Sequence, residues 1–488
     1  MNIFFAMKKT YKLLILLVLA AFSLQSCEDM DDSVSTIPGL EIEDFIYKGL
    51  NVYYLWKEDV PDLADARFAS MEEKIEFLSS KENPDSLFQD LLFKPISKFP
   101  RAQAVDRFSI LVHDYVALEK TLAGVTKNNG VDFGLRRKAG TDIVYGWVRY
   151  IIPNSDASGK DIHRGDIFYA IDGINLNSGN YISLLGKDTY TLSLADYDDE
   201  KITPNGRTVT LTKSELTENP VFYTDVIQSG NHKIGYLVYN GFTSTFNAQL
   251  NAAFRQLKTA GVTDLVLDLR YNSGGSIRTA TGLASMITGQ FNGQLFAKQQ
   301  WNPRVQAAYE DQNPSALVEN FINTLSGATI NSLNLSKVYI LTTNSTASAS
   351  ELVINGLNPY IDVVQIGDYT TGKNVGSITL YDSPTLVSSK NVSNKHQYAM
   401  QPLVIKTINK IGFSEYQNGL RPDIELTEKL DNLSQLGNVQ ERLLSAAITM
   451  ITSSGRMIPQ DSGNKTRDFK DSKSMQRFGT EMYIDKLP

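Results

Sequence analysis

One serine and one lysine, 25 positions apart, are the residues of this chain best suited to covalent chemistry. Ser348 lies in the stretch 344–351 (Asn-Ser-Thr-Ala-Ser-Ala-Ser-Glu), between a strand-like apolar run at 338–342 and a helix-like run. A serine at a strand-to-helix turn presents its hydroxyl beside the free N–H groups of a helix N-terminus. Lys373 lies in a glycine-flanked loop. A lysine amine that is held neutral can take a serine proton in place of histidine, so the two residues could form a nucleophile and its base.

Either motif alone has an ordinary explanation. A Ser/Ala-rich turn is usually a helix N-cap, and a lone lysine in a loop is usually a solvated charge. The four histidines show no metal-ligand spacing, and the chain has one cysteine, so no metal site is predicted (His113, His163, His232, His396). The lack of a suitably placed histidine also disfavours a Ser-His-Asp arrangement, which strengthens the case for Lys373 as the base. No organic cofactor is called for.

Two further sequence motifs accompany the Ser348 and Lys373 motifs. Residues 268–275 are Asp-Leu-Arg-Tyr-Asn-Ser-Gly-Gly, and residues 419–423 are Gly-Leu-Arg-Pro-Asp. With the serine and lysine motifs in this order, the chain resembles the tail-specific, or C-terminal processing, serine proteases. The resemblance implies that Ser348 attacks a peptide carbonyl, that Lys373 takes its proton, and that the peptide bond is hydrolysed through an acyl-enzyme. Protein or peptide substrates are the expected partners.

Other members of the site are predicted from the same match. Backbone N–H groups at Gly274 or Gly275 and at Ala349 would stabilise the oxyanion, and glycines leave room for the substrate. The family often has a glutamine four positions after the lysine, where this chain has Ser377. We therefore predict that other hydroxyls or backbone carbonyls position Lys373, with Ser350 and Ser377 as the first candidates. Its nitrogen is expected within about 3 Å of the Ser348 oxygen, with a looser contact when no substrate is bound.

A strand-rich region with one short helix is predicted at 119–216. Its segment 131–135 (Val-Asp-Phe-Gly-Leu) resembles the carboxylate-binding loop of PDZ domains, and 162–173 resembles their helix-turn-strand segment. The resemblance implies that Phe133, Gly134 and Leu135 bind a peptide terminus while the peptide adds a strand to the sheet edge. The alternative is an ordinary β-hairpin with turn glycines.

The fold class is predicted as α/β, because strands and helices alternate from residue 217 onwards. The predicted organisation is a small helical N-terminal domain (41–118), the PDZ-like domain (119–216), the protease core (217–453) and a loosely held polar tail (454–488). The family resemblance supplies the ββα-spiral, crotonase-like arrangement of the core.

The first 40 residues predict that the protein is exported from the cytoplasm. Residues 1–27 combine a basic start with an apolar run and end in Leu-Gln-Ser-Cys, which resembles a bacterial lipoprotein signal with Cys27 as the lipidated residue. Residues 28–40 form an acidic tether. The expected location is the bacterial cell envelope, with the chain lipid-anchored to the outer membrane on its periplasmic or surface side.

Composition narrows the possible functions. A formal charge of −7 without a basic stripe argues against nucleic acid as a partner. Apolar residues make up 42% of the chain, which is ordinary for a globular protein. Composition carries no prediction of the oligomeric state.

Two alternatives to a working protease remain. The chain could be a catalytically inactive protease-fold binding protein, a possibility that Ser377 in place of glutamine favours and the intact Ser348/Lys373 pair opposes. The core could also serve acyl-CoA chemistry, as in the crotonase fold, although an export signal opposes a cytoplasmic cofactor.

Overall fold

The computed structural model describes residues 37–199, 201–453, 467–476 and 479–485. The predicted signal segment and Cys27 lie outside the described residues. Within the described part of the chain, no helix is long and apolar enough to cross a membrane.

The N-terminal region is helical, as predicted, but it is not packed separately. Its elements are α1 (Glu41–Tyr53), α2 (Met71–Ser79), α3 (Pro84–Asp90), β1 (Ile110–Val112) and α4 (Tyr115–Leu122). Phe45 and Leu50 of α1 are buried in the same apolar cluster as Leu237 and Phe254, which belong to the α/β core that begins near residue 217. The helix α4 runs through the predicted boundary at 118/119, and the division into domains stays a prediction.

The strand-rich region follows, with one short α-helix. Its elements are β2 (Val125–Asn128), β3 (Val131–Arg137), β4 (Val144–Ile151), β5 (Ile167–Ile171), β6 (Ile174–Asn175), α5 (Tyr181–Gly186), β7 (Thr189–Asp198), β8 (Lys201–Thr212) and β9 (Ser214–Thr217). Strands β3, β4, β5, β7 and β8 lie side by side in that order, and β6 pairs with β5. The sheet has its own apolar core, which includes Leu135, Phe168 and Leu192.

The third region is the α/β core. Its elements are β10 (Val221–Ser229), β11 (His232–Tyr239), α6 (Asn247–Ala260), β12 (Asp264–Asp268), β13 (Gly275–Ser276), α7 (Ile277–Thr288), β14 (Leu295–Gln300), α8 (Pro303–Gln312), β15 (Val318–Asn320), β16 (Thr324–Leu325), β17 (Ala328–Thr329), β18 (Lys337–Thr342), α9 (Ala349–Leu357), β19 (Asp362–Gly367), β20 (Val375–Ser377), β21 (Leu380–Tyr381), β22 (Ala399–Gln401), β23 (Leu403–Asn409), β24 (Ile424–Glu425) and α10 (Arg442–Thr452). The α/β prediction is confirmed.

One six-stranded sheet organises the core. Its order is β10-β11-β12-β18-β19-β24, with β10 antiparallel to β11 and the other neighbours parallel. Its strands are apolar on both faces: Leu237 and Leu267 pack in one cluster, whereas Tyr236 and Val266 pack in another. Near-continuous apolar runs are expected of parallel strands that are covered on both sides.

The segment after residue 466 is packed, not loose. Residues 467–476 and 479–485, called the strap below, contain β25 (Lys470–Asp471) and β26 (Met482–Tyr483). Strand β25 extends the strand-rich sheet at β3, and β26 lies between β13 and β20 in a second core sheet. The expectation of a loosely held tail is therefore wrong for these residues. Although their sequence is polar, they form two short strands that pair with β3 and with β13 and β20.

Candidate active site

Three loops meet at one edge of the parallel core sheet. They follow β12, β18 and β19, which are neighbours in the sheet. They carry the glycines 274 and 275, Ser348 and Lys373 respectively. Because the carboxyl ends of parallel strands lie at the same edge, residues far apart in sequence come together there. The sequence motifs thus converge on one place.

Ser348 occupies a strained turn at the start of α9. Its backbone has φ of 65° and ψ of −116°, a region that residues other than glycine rarely adopt. Such a conformation costs about 1–3 kcal/mol and persists only where the surroundings enforce it. The side chain is fully buried, and among the described residues its hydroxyl has no hydrogen-bond partner. The serine is thus held by its backbone while its oxygen stays unengaged.

The Glu351 carboxylate joins the serine turn to the lysine loop. Its Oε2 accepts the backbone N–H of Ser348 at 2.7 Å and that of Lys373 at 2.8 Å. Its Oε1 accepts the Gly372 N–H at 2.7 Å and the Thr370 hydroxyl. Burial raises the pKa of Glu351, whereas these donors oppose the rise. One buried carboxylate therefore fixes the backbones of both candidate catalytic residues.

The Lys373 amine is fully buried. Its Nζ lies 4.8 Å from the centre of the Phe108 ring and donates to the Thr480 carbonyl at 2.6 Å and to Glu481 Oε2 at 3.0 Å. Burial lowers the pKa of Lys373 below its ordinary value, and the Glu481 carboxylate acts in the opposite direction. Burial likewise raises the pKa of Glu481, and Lys373 opposes it. A dry lysine site is what a base near neutral pH requires.

Ser348 and Lys373 are not hydrogen-bonded to each other in this structure. The close contact of about 3 Å predicted for the working dyad is therefore not made as a hydrogen bond in this state, in which the prediction allows a looser contact. The physical reason is that the Lys373 amine donates its hydrogen bonds to Thr480 and Glu481 of the strap instead of to Ser348. The two residues nevertheless share one site. A Cβ built on Gly274 would lie 2.4 Å from the Glu481 carbonyl oxygen and 2.6 Å from Ser348 Cβ.

The predicted oxyanion donors lie beside the serine. Gly274 has φ of 118°, a conformation open to glycine, and any side chain there would collide with Ser348. Its N–H donates to Asn272 Oδ1 at 3.0 Å, so this amide is engaged in the present state. Ala349 is the first residue of α9, where helical geometry gives the N–H no intrahelical partner. Gly275 pairs with Met482 in β26. The oxyanion role of these amides stays a prediction.

The two predicted supporting hydroxyls behave differently. Ser350 donates to the Asn272 carbonyl at 3.1 Å, so its predicted contact with Lys373 is wrong. It lies on the side of α9 that faces the Asp268–Gly275 segment instead. The Ser377 hydroxyl has two acceptors in reach for its one proton, Glu481 Oε2 at 3.4 Å and the Met482 carbonyl at 3.3 Å, and thus contacts Lys373 only through Glu481.

The predicted peptide-binding residues form a strand, not a loop. Phe133, Gly134 and Leu135 lie within β3, because alternate apolar side chains from 131 to 135 face the sheet's core. The loop prediction is wrong. The outer edge of β3 is paired with β25, with Asp471 opposite Gly134. A Cβ on Gly134 would lie 2.0 Å from Asp468 Oδ2 and 2.4 Å from Trp147 Nε1, so the glycine makes room for the strap.

Sequence reasoning missed two carboxylates of the site. Glu351 had a signal, since Ser-x-x-Glu before an apolar run is typical of a capping box at a helix start. Glu481 had none. It lies in a polar stretch, 108 positions from Lys373, and only the path of the strap brings it to the amine.

Comparisons with known proteins agree with this architecture. Residues 233–426 match the profile described as "Peptidase family S41", and residues 41–110 match "Peptidase S41 N-terminal domain". A carboxyl-terminal-processing protease of Picosynechococcus sp. is 24% identical over 62% of this chain and 65% of its own length. A chloroplastic C-terminal processing peptidase of Tetradesmus obliquus is 25% identical over 53% of each chain. This chain thus spans about half to two-thirds of the length of these curated relatives.

A solved structure shares the fold. A protein of Bacteroides fragilis NCTC 9343, assigned to the S41 proteases, superposes with a TM-score of 0.59 and 26% identity, over 83% of this chain and 96% of that one. The two matches flank the strand-rich region, and the match at 233–426 includes the Gly274, Ser348 and Lys373 loops. The chain belongs to peptidase family S41.

Proposed function

We propose that this protein is a serine endopeptidase in which Ser348 is the nucleophile and Lys373 the general base. The observation that carries the proposal is the shared anchoring of both residues on Glu351, with the serine hydroxyl unengaged and the amine fully buried. Membership of the S41 family and the relatives named as carboxyl-terminal-processing proteases support the same activity.

The chemistry is acyl transfer in two stages. The Ser348 oxygen attacks the scissile carbonyl as its proton passes to the Lys373 amine. That proton then goes to the leaving amine, and water hydrolyses the acyl-enzyme with Lys373 again as base. Amides at Gly274 or Gly275 and Ala349 would stabilise the oxyanion, each contact being worth about 3–4 kcal/mol. The lowered pKa of the buried lysine supports its role, because a neutral amine is required to accept the proton.

Substrate recognition is proposed to use the strand-rich region as a PDZ-like domain. An extended peptide can add a strand to the edge of β3 at Phe133, Gly134 and Leu135, where main-chain groups supply affinity. The strap supports this mode, since β25 pairs with that edge in antiparallel register. Substrate C-termini are the proposed targets. The core around the site is proposed to have the ββα-spiral arrangement.

The proposed location is the bacterial cell envelope, with Cys27 lipidated and the protein anchored to the outer membrane. The support is the sequence 1–27 itself, which combines a basic start, an apolar run and a terminal cysteine.

Hydrolysis of an unfolded protein such as casein tests the proposal. The full chain is compared with Ser348→Ala, which removes the nucleophile, and with Ser178→Ala, which removes an exposed serine of the strand-rich region. We expect new amino termini from the full chain and the Ser178→Ala control but none from Ser348→Ala. Tight casein binding without hydrolysis by any of the three would instead identify an inactive binding protein.

A further inference from the structure

The strap occupies both surfaces that a substrate of the proposed peptidase needs. At the first, β25 extends the strand-rich sheet, with Lys470 opposite Leu135 and Asp471 opposite Gly134. The Phe469 N–H donates to the Leu135 carbonyl at 3.0 Å, and the Ser472 N–H donates to the Phe133 carbonyl at 2.9 Å. This is the pattern of a peptide that binds by strand addition.

Charged contacts hold this part of the strap in place. Arg149 Nη1 donates to Asp471 Oδ2 at 3.0 Å, and Arg149 Nη2 donates to Asp468 Oδ2 at 2.8 Å. Arg136 donates to Asp468 Oδ1 at 2.9 Å. Asp471 also accepts the Ser345 hydroxyl at 2.5 Å, and Ser345 lies in the loop that carries Ser348. The strap thus ties the strand-rich region to the serine loop.

At the second surface, the strap lies in the candidate active site. Met482 pairs with Gly275 and Tyr483 with Ser276 in parallel register, and Tyr483 also pairs with Ser377 on the other side. Just before β26, the Thr480 carbonyl and the Glu481 carboxylate bind the Lys373 amine. The Thr480 carbonyl and the Glu481 carboxylate thus engage the amine that the proposed mechanism needs for the Ser348 proton.

We propose that the strap is a built-in occluding segment that lowers the activity of the peptidase until it is displaced. The inference rests on the proposed function, because inhibition presupposes an activity. The strap binds where the substrate strand would bind on β3 and fills the gap between β13 and β20. It also engages the amine of the proposed general base through Thr480 and Glu481. An extended polypeptide substrate therefore competes with the strap at both places.

The test cuts the chain ahead of the strap, which avoids any need to fold a truncated chain. A recognition sequence for a site-specific protease replaces residues 456–462, the chain is purified intact, and it is then cut and diluted. Covalent tethering gives a segment a local concentration of about millimolar, and that advantage is lost on cutting. We expect casein hydrolysis to rise at least about tenfold after cutting and dilution, as the fraction of competent enzyme grows.

A synthetic peptide of residues 467–485 supplies the second measurement. Added to the cut and diluted enzyme, it should restore inhibition, whereas the same peptide with Glu481→Gln should inhibit less. The peptide with Lys470→Ala, which changes an exposed side chain, should inhibit like the parent. Hydrolysis that does not rise after cutting, or that the peptide does not inhibit, would overturn the inference. So would cleavage of the peptide by the wild-type chain but not by Ser348→Ala, since the strap would then be a substrate.

Fluorescence anisotropy separates the two hypotheses. The labelled peptide should bind the cut and diluted Ser348→Ala chain, which has no proposed nucleophile. Binding of the peptide with no hydrolysis by any form of the chain would refute the proposed function while leaving the docking of the strap established. Absence of binding, with hydrolysis by the uncut chain, would refute the strap proposal alone.

Discussion

Asp471 offers the most quantitative test of how the strap is held. Its carboxylate is buried between the Arg149 guanidinium and the Ser345 hydroxyl. Burial alone would raise the pKa of Asp471, but Arg149 and the hydrogen bonds outweigh it and bring the pKa to about 2. An aspartate in an undocked strap has a pKa of about 3.9. Each whole pKa step is worth about 1.4 kcal/mol, so ionised Asp471 stabilises the docked strap by about 2–3 kcal/mol at neutral pH.

The pH dependence of strap docking follows from the lowered pKa of Asp471. A lowered pKa means that the docked strap is stabilised above the pKa of the free aspartate, and that this contribution disappears as the pH falls from about 4 to about 2. At pH 7, Asp471→Asn should therefore weaken binding of the strap peptide to the cut Ser348→Ala chain by about 30- to 100-fold. In the uncut chain it should raise casein hydrolysis, because the strap opens more often.

The assay is anisotropy of labelled peptides 467–485 at pH 7. Lys470→Ala serves as the matched control, since its side chain is exposed beside Asp471 on the same strand. Equal affinities for the Asp471→Asn and parent peptides would refute the argument that the Arg149–Asp471 pair fastens the strap.

Three further predictions concern the site and the anchor. In the uncut chain, Glu481→Gln should move the acid limb of the pH profile of kcat/KM to lower pH. Removing the carboxylate lowers the pKa of Lys373, so that the neutral amine persists in more acidic solution. A limb that moves to higher pH would contradict this prediction. Glu351→Gln should lower the free energy of unfolding by at least about 2 kcal/mol, because buried N–H donors lose their carboxylate acceptor. Urea titrations measure this against Glu415→Gln, a variant at an exposed site. Equal unfolding midpoints for the two variants would argue against the prediction. Cys27→Ala should abolish incorporation of labelled palmitate and release the protein from the membrane fraction, and continued labelling would show that another residue is modified.

Much of the candidate site could be predicted from the sequence because its signals are local. The strand before Ser348 and the helix after it lie close to their predicted positions, as β18 and α9. The turn at 272–275 could be placed beside them, since both loops follow buried parallel strands. Spacing alone could not show that Glu351 joins the serine and lysine loops, although the capping-box pattern was present.

The strap could not be predicted, because its strands have two residues each and gain their stability from edges elsewhere in the fold. A two-residue strand carries no periodicity. Its residues are polar because they pair with Arg149 and Lys373, so composition indicated a loose tail. The error at Phe133, Gly134 and Leu135 has a related cause. The resemblance to a carboxylate-binding loop predicts a loop at Gly134, whereas this glycine lies within β3 and leaves space for the Asp468 side chain.

Hydrolysis by single and double variants of the proposed dyad tests the central claim most directly. Casein cleavage is measured for the wild type, Ser348→Ala, Lys373→Ala and the double variant, each checked for an unchanged thermal unfolding transition. We predict that each single variant loses cleavage and that the double variant is little worse than either, because the two residues act as one unit. Cleavage by Ser348→Ala at the wild-type rate, in a correctly folded chain, would contradict the assignment of the nucleophile.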